Sequence, residues 1–360
     1  MLILASPARG RRLPALSVML TACVMLAACR GPDTAAQFHA AADRPLPITL
    51  AHERDAMSVE PLRALPADAG AGQPEALVAL GQRLYHDTRL SGDDSVACAS
   101  CHALSEGGDD GRATSVGIKG AIGPINAPTV LNSTFNFRQF WDGRAADLVE
   151  QAKGPVVNPL EMGAAWPEVI AKLRADADYP AAFAAAFGDD GIDAERIASA
   201  IASFEQTLVT PAPFDRYLLG ETNAISAEAR HGYTLFKEYG CVACHQGINV
   251  GGNLYQKFGA LQSAFEITTD ADKGRSNVTR DGNDVGVFKV PSLRNVALTA
   301  PYFHVGTVAR LEDAVRIMGS TQLGLALPEA DIAEIVAFLN SLTGDTPQLT
   351  ASATPGDSAP

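Results

Sequence analysis

The 360-residue sequence is poor in aromatic residues, which make up only 6% of it, and it lacks an excess of positive charge. With so few aromatic side chains, a large aromatic binding surface is not expected. Proteins that bind nucleic acid present basic stripes to phosphate groups. This chain has 41 acidic against 28 basic residues and a formal net charge of −13. The composition therefore argues against nucleic acid as a partner and favours a basic partner.

The N-terminal apolar run is too short to cross a membrane as a helix. It covers residues 13–28, which is fewer than the ~20 residues that a spanning helix needs. Because three arginines precede it, the run is typical of a secretory signal. Its end, Leu26-Ala27-Ala28-Cys29, resembles a bacterial lipobox. We therefore predict a lipoprotein signal peptide over residues 1–28 and lipidation of Cys29, with ordinary cleavage near Ala28 as the alternative.

Cysteine is scarce as well, and none is left over for a disulfide. Of the six cysteines, Cys23 lies in the predicted signal peptide and Cys29 is the predicted lipidation site. The other four form two Cys-x-x-Cys pairs, each followed at once by histidine. The first motif is Cys98, Cys101 and His102, and the second is Cys241, Cys244 and His245.

This spacing is the attachment signature of c-type haem. Two thiols in this pattern reach the two vinyl groups on one porphyrin edge, and the adjacent histidine supplies a nitrogen to the iron. A zinc knuckle needs four ligands, whereas each motif offers three. A redox-active dithiol needs no histidine at the fifth position. We predict two covalent c-type haems, which agrees with export because bacteria attach them outside the cytoplasm.

The two motifs belong to an internal duplication, in which residues 128–132 match residues 291–295 in the same order. Gly81 and Gly232 each stand shortly before a Leu-aromatic pair, which is typical of a close approach between helix backbones. Apolar residues at helical spacing then close each half; they are Ile197, Ile201 and Phe204 in the first half and Ile332, Ile335, Phe338 and Leu339 in the second.

The duplication predicts a mostly α protein with two domains. The boundary lies at residues 210–213, where two prolines break the preceding helix. The predicted organisation is a tether over residues 29–68, an N-terminal domain over 69–210, a C-terminal domain over 211–346 and a flexible tail over 347–360.

The sixth iron ligand decides what each haem can do, because a closed iron transfers electrons and an open iron can bind a small oxidant. For the second haem, Met318 lies downstream of His245 and is the favoured ligand, with His304 as its rival. For the first haem, two interpretations stay open. Either Met162 closes the iron, or its neighbour Glu161 is an acid beside an open iron.

At these residues the sequence resembles the bacterial dihaem cytochrome c peroxidases over about residues 70–346. Besides the two haem motifs, the resemblance rests on residues 140–144, 150–152, 158–162, 300–304 and 318–319. It implies two facing cytochrome c-like domains, with a peroxidatic haem in the first and an electron-transfer haem in the second. It further implies a periplasmic homodimer that reduces H2O2 with electrons from a small cytochrome c or a cupredoxin.

The resemblance also implies roles for individual residues. Met318 matches the axial methionine of the electron-transfer haem, and Trp141 matches the tryptophan between the haems. Gln151 and Glu161 match the polar pair over the peroxidatic iron, where Glu161 is expected to move a proton as base and then acid. A calcium ion at the domain interface is implied by Asn126, Thr299 and Pro301.

One position departs from the family pattern. Members that need reductive activation carry a histidine after Ser-Val-Gly, whereas here Ser115-Val116-Gly117 precedes Ile118. Isoleucine cannot bind iron, so the peroxidatic haem is expected to be open even when oxidised. The alternatives are a dihaem electron-transfer protein without peroxidase activity, or a protein-cofactor maturation enzyme of the same superfamily, a relative of which carries tyrosine where Met318 stands.

Overall fold

The computed structural model describes residues 60–263, 270 and 273–345. The predicted signal peptide, the lipidation site, residues 29–59 of the tether and the tail lie outside the described residues. Within them the chain is mostly helical, as predicted, and no described helix is long and apolar enough to cross a membrane. The helices are α1 Glu75–Tyr85, α2 Cys98–Cys101, α3 Leu148–Val157, α4 Trp166–Ala175, α5 Tyr179–Phe187, α6 Ala194–Glu205, α7 Pro213–Leu218, α8 Ala227–Glu238, α9 Ser276–Thr279, α10 Leu311–Leu323 and α11 Glu329–Asn340.

The described strands form one small antiparallel pair, β1 Tyr255–Lys257 with β2 Val287–Lys289. In this pair Tyr255 lies opposite Lys289 and Lys257 lies opposite Val287. Long irregular segments and short 3₁₀ turns connect the helices.

The first hydrophobic core is built where α1 crosses α6. Ile197, Ile201 and Phe204 are all buried in it, which confirms the predicted amphipathic pattern of α6. The crossing is so close that a Cβ at Gly81 would lie 1.9 Å from the carbonyl oxygen of Ala200. A glycine is therefore required at this position, as the sequence pattern predicted.

The second core repeats the arrangement with α8 and α11. Ile332, Ile335, Phe338 and Leu339 are buried in it. A Cβ at Gly232 would lie 1.8 Å from the carbonyl oxygen of Glu334. The two halves therefore share the same close helix crossing at a glycine. The duplication seen in the sequence is also present in the structure.

Both halves form hydrogen bonds to Thr210, which lies at the predicted domain boundary. The duplicated asparagines Asn132 and Asn295 have left-handed backbones, with φ of 59° and 60°. Their side-chain amides donate to Thr210 Oγ1 at 2.7 Å and 2.8 Å. One buried hydroxyl thus receives a hydrogen bond from each half.

The end of the tether differs from the prediction, which placed it at residue 68. Leu62 is only 1% exposed and belongs to the second core. The backbone N–H of Leu65 donates to Asp215 Oδ1 at 2.8 Å. Buried apolar area and a long-range hydrogen bond fix this segment, so the packed body begins no later than Leu62.

Candidate haem sites and the contacts between them

The first Cys-x-x-Cys-His motif is held by the turn that contains it. Cys98 and Cys101 form the single turn of α2, and the backbone N–H of His102 donates to the Cys98 carbonyl at 3.0 Å. The hydroxyl of Tyr85 donates to the carbonyl of His102 at 2.6 Å. The imidazole Nδ1 lies 3.2 Å from the carbonyl oxygen of Gly108. Because a carbonyl only accepts, this contact places the proton on Nδ1 and leaves Nε2 free for a metal.

The second motif repeats this geometry. Cys241–Ala243 is a 3₁₀ turn, and the backbone N–H of His245 donates to the Cys241 carbonyl at 2.9 Å. Nδ1 of His245 faces the carbonyl oxygen of Val250 at 3.4 Å. Burial lowers the pKa of His245 to about 4 and also lowers the pKa of His102. Both imidazoles are therefore neutral, which is the form that binds iron.

The thiols are poorly suited to the alternative chemistries. Burial raises the pKa of Cys98 to about 12 and that of Cys241 to about 11. Zinc sites and redox-active dithiols use the thiolate, which these environments disfavour. Within the described residues, no group of three or more His, Cys, Asp or Glu side chains could hold a metal ion. The arrangement fits thioether attachment of haem better than it fits zinc or disulfide exchange.

A largely apolar cavity adjoins the second motif, and Cys241, Cys244 and His245 line it. Met318, on α10, lines the same cavity, as its predicted role as iron ligand requires. The rival His304 also lines it, with its ring stacked on Phe288 at a centroid distance of 4.2 Å. An apolar slot with one histidine from the attachment motif and a thioether from another helix fits a haem with two axial ligands.

Trp141 lines this cavity too and is fixed by contacts with both halves. Its indole N–H donates to the carbonyl of Asn126 at 2.9 Å, and its own carbonyl accepts from the backbone N–H of Lys289 at 2.8 Å. The centroid of its ring lies 6.2 Å from that of His304. The tryptophan is therefore held rigidly where the two halves meet.

These contacts follow the internal repeat, although sequence reasoning did not use it here. The register that aligns residues 128–132 with 291–295 also aligns residue 141 with residue 304 and residue 126 with residue 289. The backbone N–H of Asn126 donates to the His304 carbonyl at 2.9 Å, just as that of Lys289 donates to Trp141. The repeat was the signal that could have identified Lys289 and this pairing.

The three residues implied for calcium all line the same cavity. Asn126 Nδ2 donates to the carbonyl of Pro301 at 2.6 Å and to that of Phe303 at 3.1 Å. Thr299 closely precedes Pro301 in the chain, and its hydroxyl donates to the Val296 carbonyl at 3.3 Å. The structure thus brings Asn126 and Pro301 into direct contact, with Thr299 nearby in the chain.

Glu161 lies beside the first haem motif. Burial raises the pKa of its carboxyl group, an effect partly opposed by the charge of Arg144 and a 2.7 Å hydrogen bond from Asn158. The carboxylate is close enough to raise the pKa of both Cys98 and Cys101. A half-buried acid thus lies next to the site where the first porphyrin would attach.

Met162 is the residue that would close the iron of the first haem in the alternative interpretation. It is 4% exposed and packs into the first hydrophobic core. Its backbone N–H donates to the carbonyl of Pro155, and its carbonyl accepts from Gly92 at 2.7 Å. These contacts give Met162 a structural role that needs no iron.

The loop with the unusual Ile118 lies directly on the Glu161 segment. The backbone N–H of Ile118 donates to the Glu161 carbonyl at 2.8 Å. A Cβ at Gly117 would lie 2.1 Å from the carbonyl oxygen of Leu160. Position 118, where members of the resembling family can carry a histidine, is therefore packed against the segment that contains Glu161.

Gln151 lies on α3, whose N-terminus is capped by Asp147 through a 2.8 Å hydrogen bond from the Glu150 N–H. In the described part of the chain, no hydrogen bond joins Gln151 to Glu161. Sequence reasoning missed Arg144 as the nearest charge partner of Glu161. Its guanidinium lies 3.4 Å over the ring of Phe140 and pairs with Asp142.

Comparisons with known proteins agree with this geometry. Residues 75–223 match the family described as di-haem cytochrome c peroxidase. The chain is 51% identical over 290 residues to cytochrome c peroxidase Ccp of Escherichia coli, covering 79% of this chain and 61% of that protein. It is 48% identical over 290 residues to cytochrome c551 peroxidase of Nitrosomonas europaea, covering 80% and 85%.

Methylamine utilization proteins MauG are more distant, at 31% and 34% identity. A solved MauG-like protein associated with microbial copper homeostasis superposes with a TM-score of 0.68 at 29% identity, covering 81% of this chain and 95% of the other. With high identity to peroxidases over most of the chain and two matching attachment motifs, the chain belongs to the di-haem cytochrome c peroxidase family and is a haem-dependent oxidoreductase.

Proposed function

We propose that the chain reduces H2O2 to two waters at the first motif, using two protons from solvent and two electrons that enter one at a time through the second motif. The observation that carries this assignment is the asymmetry of the two sites. A half-buried acid, Glu161, lies beside the first motif, whereas a thioether, Met318, lines the cavity of the second. When bound, the haems supply the iron centres that accept peroxide and pass electrons.

Glu161 moves the proton in this reaction. Its carboxylate accepts the proton of the inner peroxide oxygen and returns it to the outer oxygen, which leaves as water. Burial, which raises the pKa of the carboxyl group, makes it a stronger base than an ordinary glutamate. Gln151 orients the peroxide through its amide without titrating.

A haem held by Cys98, Cys101 and His102 would meet no iron ligand at position 118, so it would be expected to accept peroxide before any reduction. Ile118 offers no ligand for iron, and the hydrogen bond from its N–H to the Glu161 carbonyl fixes the loop. The second candidate function, electron transfer with Met162 closing the first haem, loses support because Met162 packs in the first core.

Trp141 is the bridge for electrons between the haems. Its support is its position, because it lines the cavity of the second haem and is fixed to Asn126 by its indole N–H. The donor is a small cytochrome c or a cupredoxin, and the acidic chain favours a basic surface on it.

Calcium at Asn126, Thr299 and Pro301 is part of the same proposal. The oxygen and nitrogen of an amide are nearly indistinguishable in shape. Turning the Asn126 amide by half a rotation aims its oxygen toward the Pro301 and Phe303 carbonyls, which gives the oxygen-rich surroundings that calcium prefers. Elemental analysis should find calcium in the wild type and lose it in Asn126→Ala; a wild type without calcium would refute the site.

The remaining assignments concern cellular context. We propose two cytochrome c-like domains over residues 69–210 and 211–346, a homodimer, and a periplasmic location through a lipid on Cys29. Mass spectrometry of the mature N-terminus tests the anchor, and a thiol at Cys29 without lipid would remove it.

Peroxide-dependent oxidation of a reduced small cytochrome c tests the function. The account expects turnover by the fully oxidised protein without prior reduction. A preparation with both haems bound and no turnover, however it is reduced first, would leave an electron carrier.

A further inference from the structure

Lys289 is a buried lysine without a partner among the described residues. It ends β2, is 6% exposed, and lines the cavity of the second motif. Its backbone N–H donates to Trp141, but its ammonium group makes no hydrogen bond or ion pair with any described residue. Burial alone lowers its pKa, to about 8, and no nearby carboxylate in the described structure opposes this shift.

Burying an unpaired ammonium group costs free energy, and a nearby anion would offset that cost. Among the described residues that line the cavity, Lys289 is the only lysine or arginine, and none is Asp or Glu. This described lining therefore offers one lysine cation and no carboxylate to pair with it.

The internal repeat shows that the fold itself does not need a lysine here. The equivalent residue in the first half is Asn126, an uncharged amide whose side chain lies against the carbonyls of Pro301 and Phe303. Both residues make the same backbone hydrogen bond across the interface. The charge of Lys289 is therefore a property of the second site and not of the repeat.

The expected occupant of this cavity brings its own anions. A haem attached at Cys241 and Cys244 carries two propionate carboxylates, and in an apolar cavity these need a cation as much as Lys289 needs an anion. We propose that Lys289 pairs with a propionate of the second haem and thereby raises the midpoint potential of that haem. This inference rests on the proposed function, since it takes haem at the second motif as given.

The direction follows from charge. Reduction adds an electron to the haem, and a fixed positive charge close by in a low-dielectric site stabilises the more electron-rich state. Lys289 is thus a positioning residue that favours electron acceptance from the donor, and it contacts no reacting atom.

The test uses the full-length protein with both haems bound and a spectroelectrochemical titration that resolves the two. Lys289→Met is expected to shift the reduction equilibrium of the second haem at least tenfold toward the oxidised form, which is a lowering of about 59 mV for one electron. Lys289→Arg should retain the wild-type potential, and the first haem should be unchanged in both variants.

Lys257→Met is the matched control, because it removes the same charge from an exposed position of the same two-stranded sheet. A Lys289→Met shift no larger than that of Lys257→Met would overturn the proposal. Loss of the low-spin spectrum of the second haem in Lys289→Met would also overturn it, since Lys289 would then be an iron ligand. Where Lys289→Met fails to fold, Lys289→Gln replaces it, and an unchanged potential there has the same consequence.

Failure of this inference is distinguishable from failure of the proposed function. Wild-type protein with two haems and peroxide turnover, together with a Lys289→Met variant of unaltered potential, rejects only the propionate pairing. Wild-type protein without haem at the second motif rejects both.

Discussion

In the proposed mechanism Glu161 transfers the proton, and replacing it gives the sharpest test at the residue scale. Glu161→Gln keeps the shape of the side chain and removes its basicity. Both haems should remain attached, while peroxide turnover falls about 10²–10⁴-fold. Glu168→Gln, at an exposed position on α4, is the control and should leave the rate unaltered. Turnover of Glu161→Gln at the wild-type rate would remove this residue from the mechanism.

The pH dependence of peroxide turnover provides a second test of the role of Glu161. Burial raises the pKa of Glu161, and the base must be deprotonated to accept a proton. The value of kcat/KM should therefore fall as pH decreases through a pKa above the ordinary value of about 4.3 for glutamate. In Glu161→Gln this acid limb should disappear; a limb that persists belongs to another group.

Met318 and His304 both reach the cavity of the second haem, so ligation is decided by substitution. Met318→His should lower the potential of that haem, because a thioether ligand raises it relative to imidazole. His304→Phe preserves a ring that can stack on Phe288 and should leave the low-spin signal of the second haem intact. If the signal is lost in His304→Phe and unaffected in Met318→His, the assignment of the ligand is reversed.

At the scale of secondary-structure elements, each of the two hydrophobic cores depends on one close helix crossing. Gly232→Ala would place a methyl group 1.8 Å from the Glu334 carbonyl oxygen, so α8 and α11 must move apart. The free energy of unfolding should fall by about 1–3 kcal/mol, the usual cost of overpacking. Gly282→Ala, where nothing lies within 4 Å of the added carbon and φ is not positive, should cause little change in a denaturant titration. Equal stabilities of the two variants would contradict this account of the crossing.

The same scale shows what could be read from the sequence. The helix crossings were predictable, because a glycine before a Leu-aromatic pair recurs in both halves. The attachment motifs and the apolar faces of α6 and α11 were predictable too, since each is a local pattern. The docking of Leu62 into the second core was not, because one leucine in an Ala/Pro-rich stretch carries no signal of a contact with residues in the other half of the chain.

The residues of the candidate sites also differ in how far the sequence could predict them. Glu161 and Met318 were candidates from their positions downstream of the two haem motifs, and the family pattern supported both, whereas the isolation of Lys289 depends on which residues line a cavity. Lack of a partner cannot be read from neighbours in the chain, because it is a property of contacts distant in sequence. The internal repeat, whose register pairs Lys289 with Asn126, could have drawn attention to the position, but it was not used for that.

At the scale of the whole molecule, the proposed function assigns different tasks to two similar halves. The duplication supplies two attachment motifs with the same histidine geometry, and the differences lie in single residues around them. Glu161 and Ile118 distinguish the first site, and Met318 and Lys289 distinguish the second. In the proposed function, the framework of the repeat is preserved and single residues near the two motifs differ.

Low-temperature EPR of the fully oxidised protein, before and after addition of H2O2, tests this asymmetry most directly. The account predicts one high-spin ferric signal from the first haem and one low-spin signal from the second, with the high-spin signal lost on addition of peroxide. Two low-spin signals that peroxide leaves unchanged would contradict it, because neither iron would then be open to the oxidant.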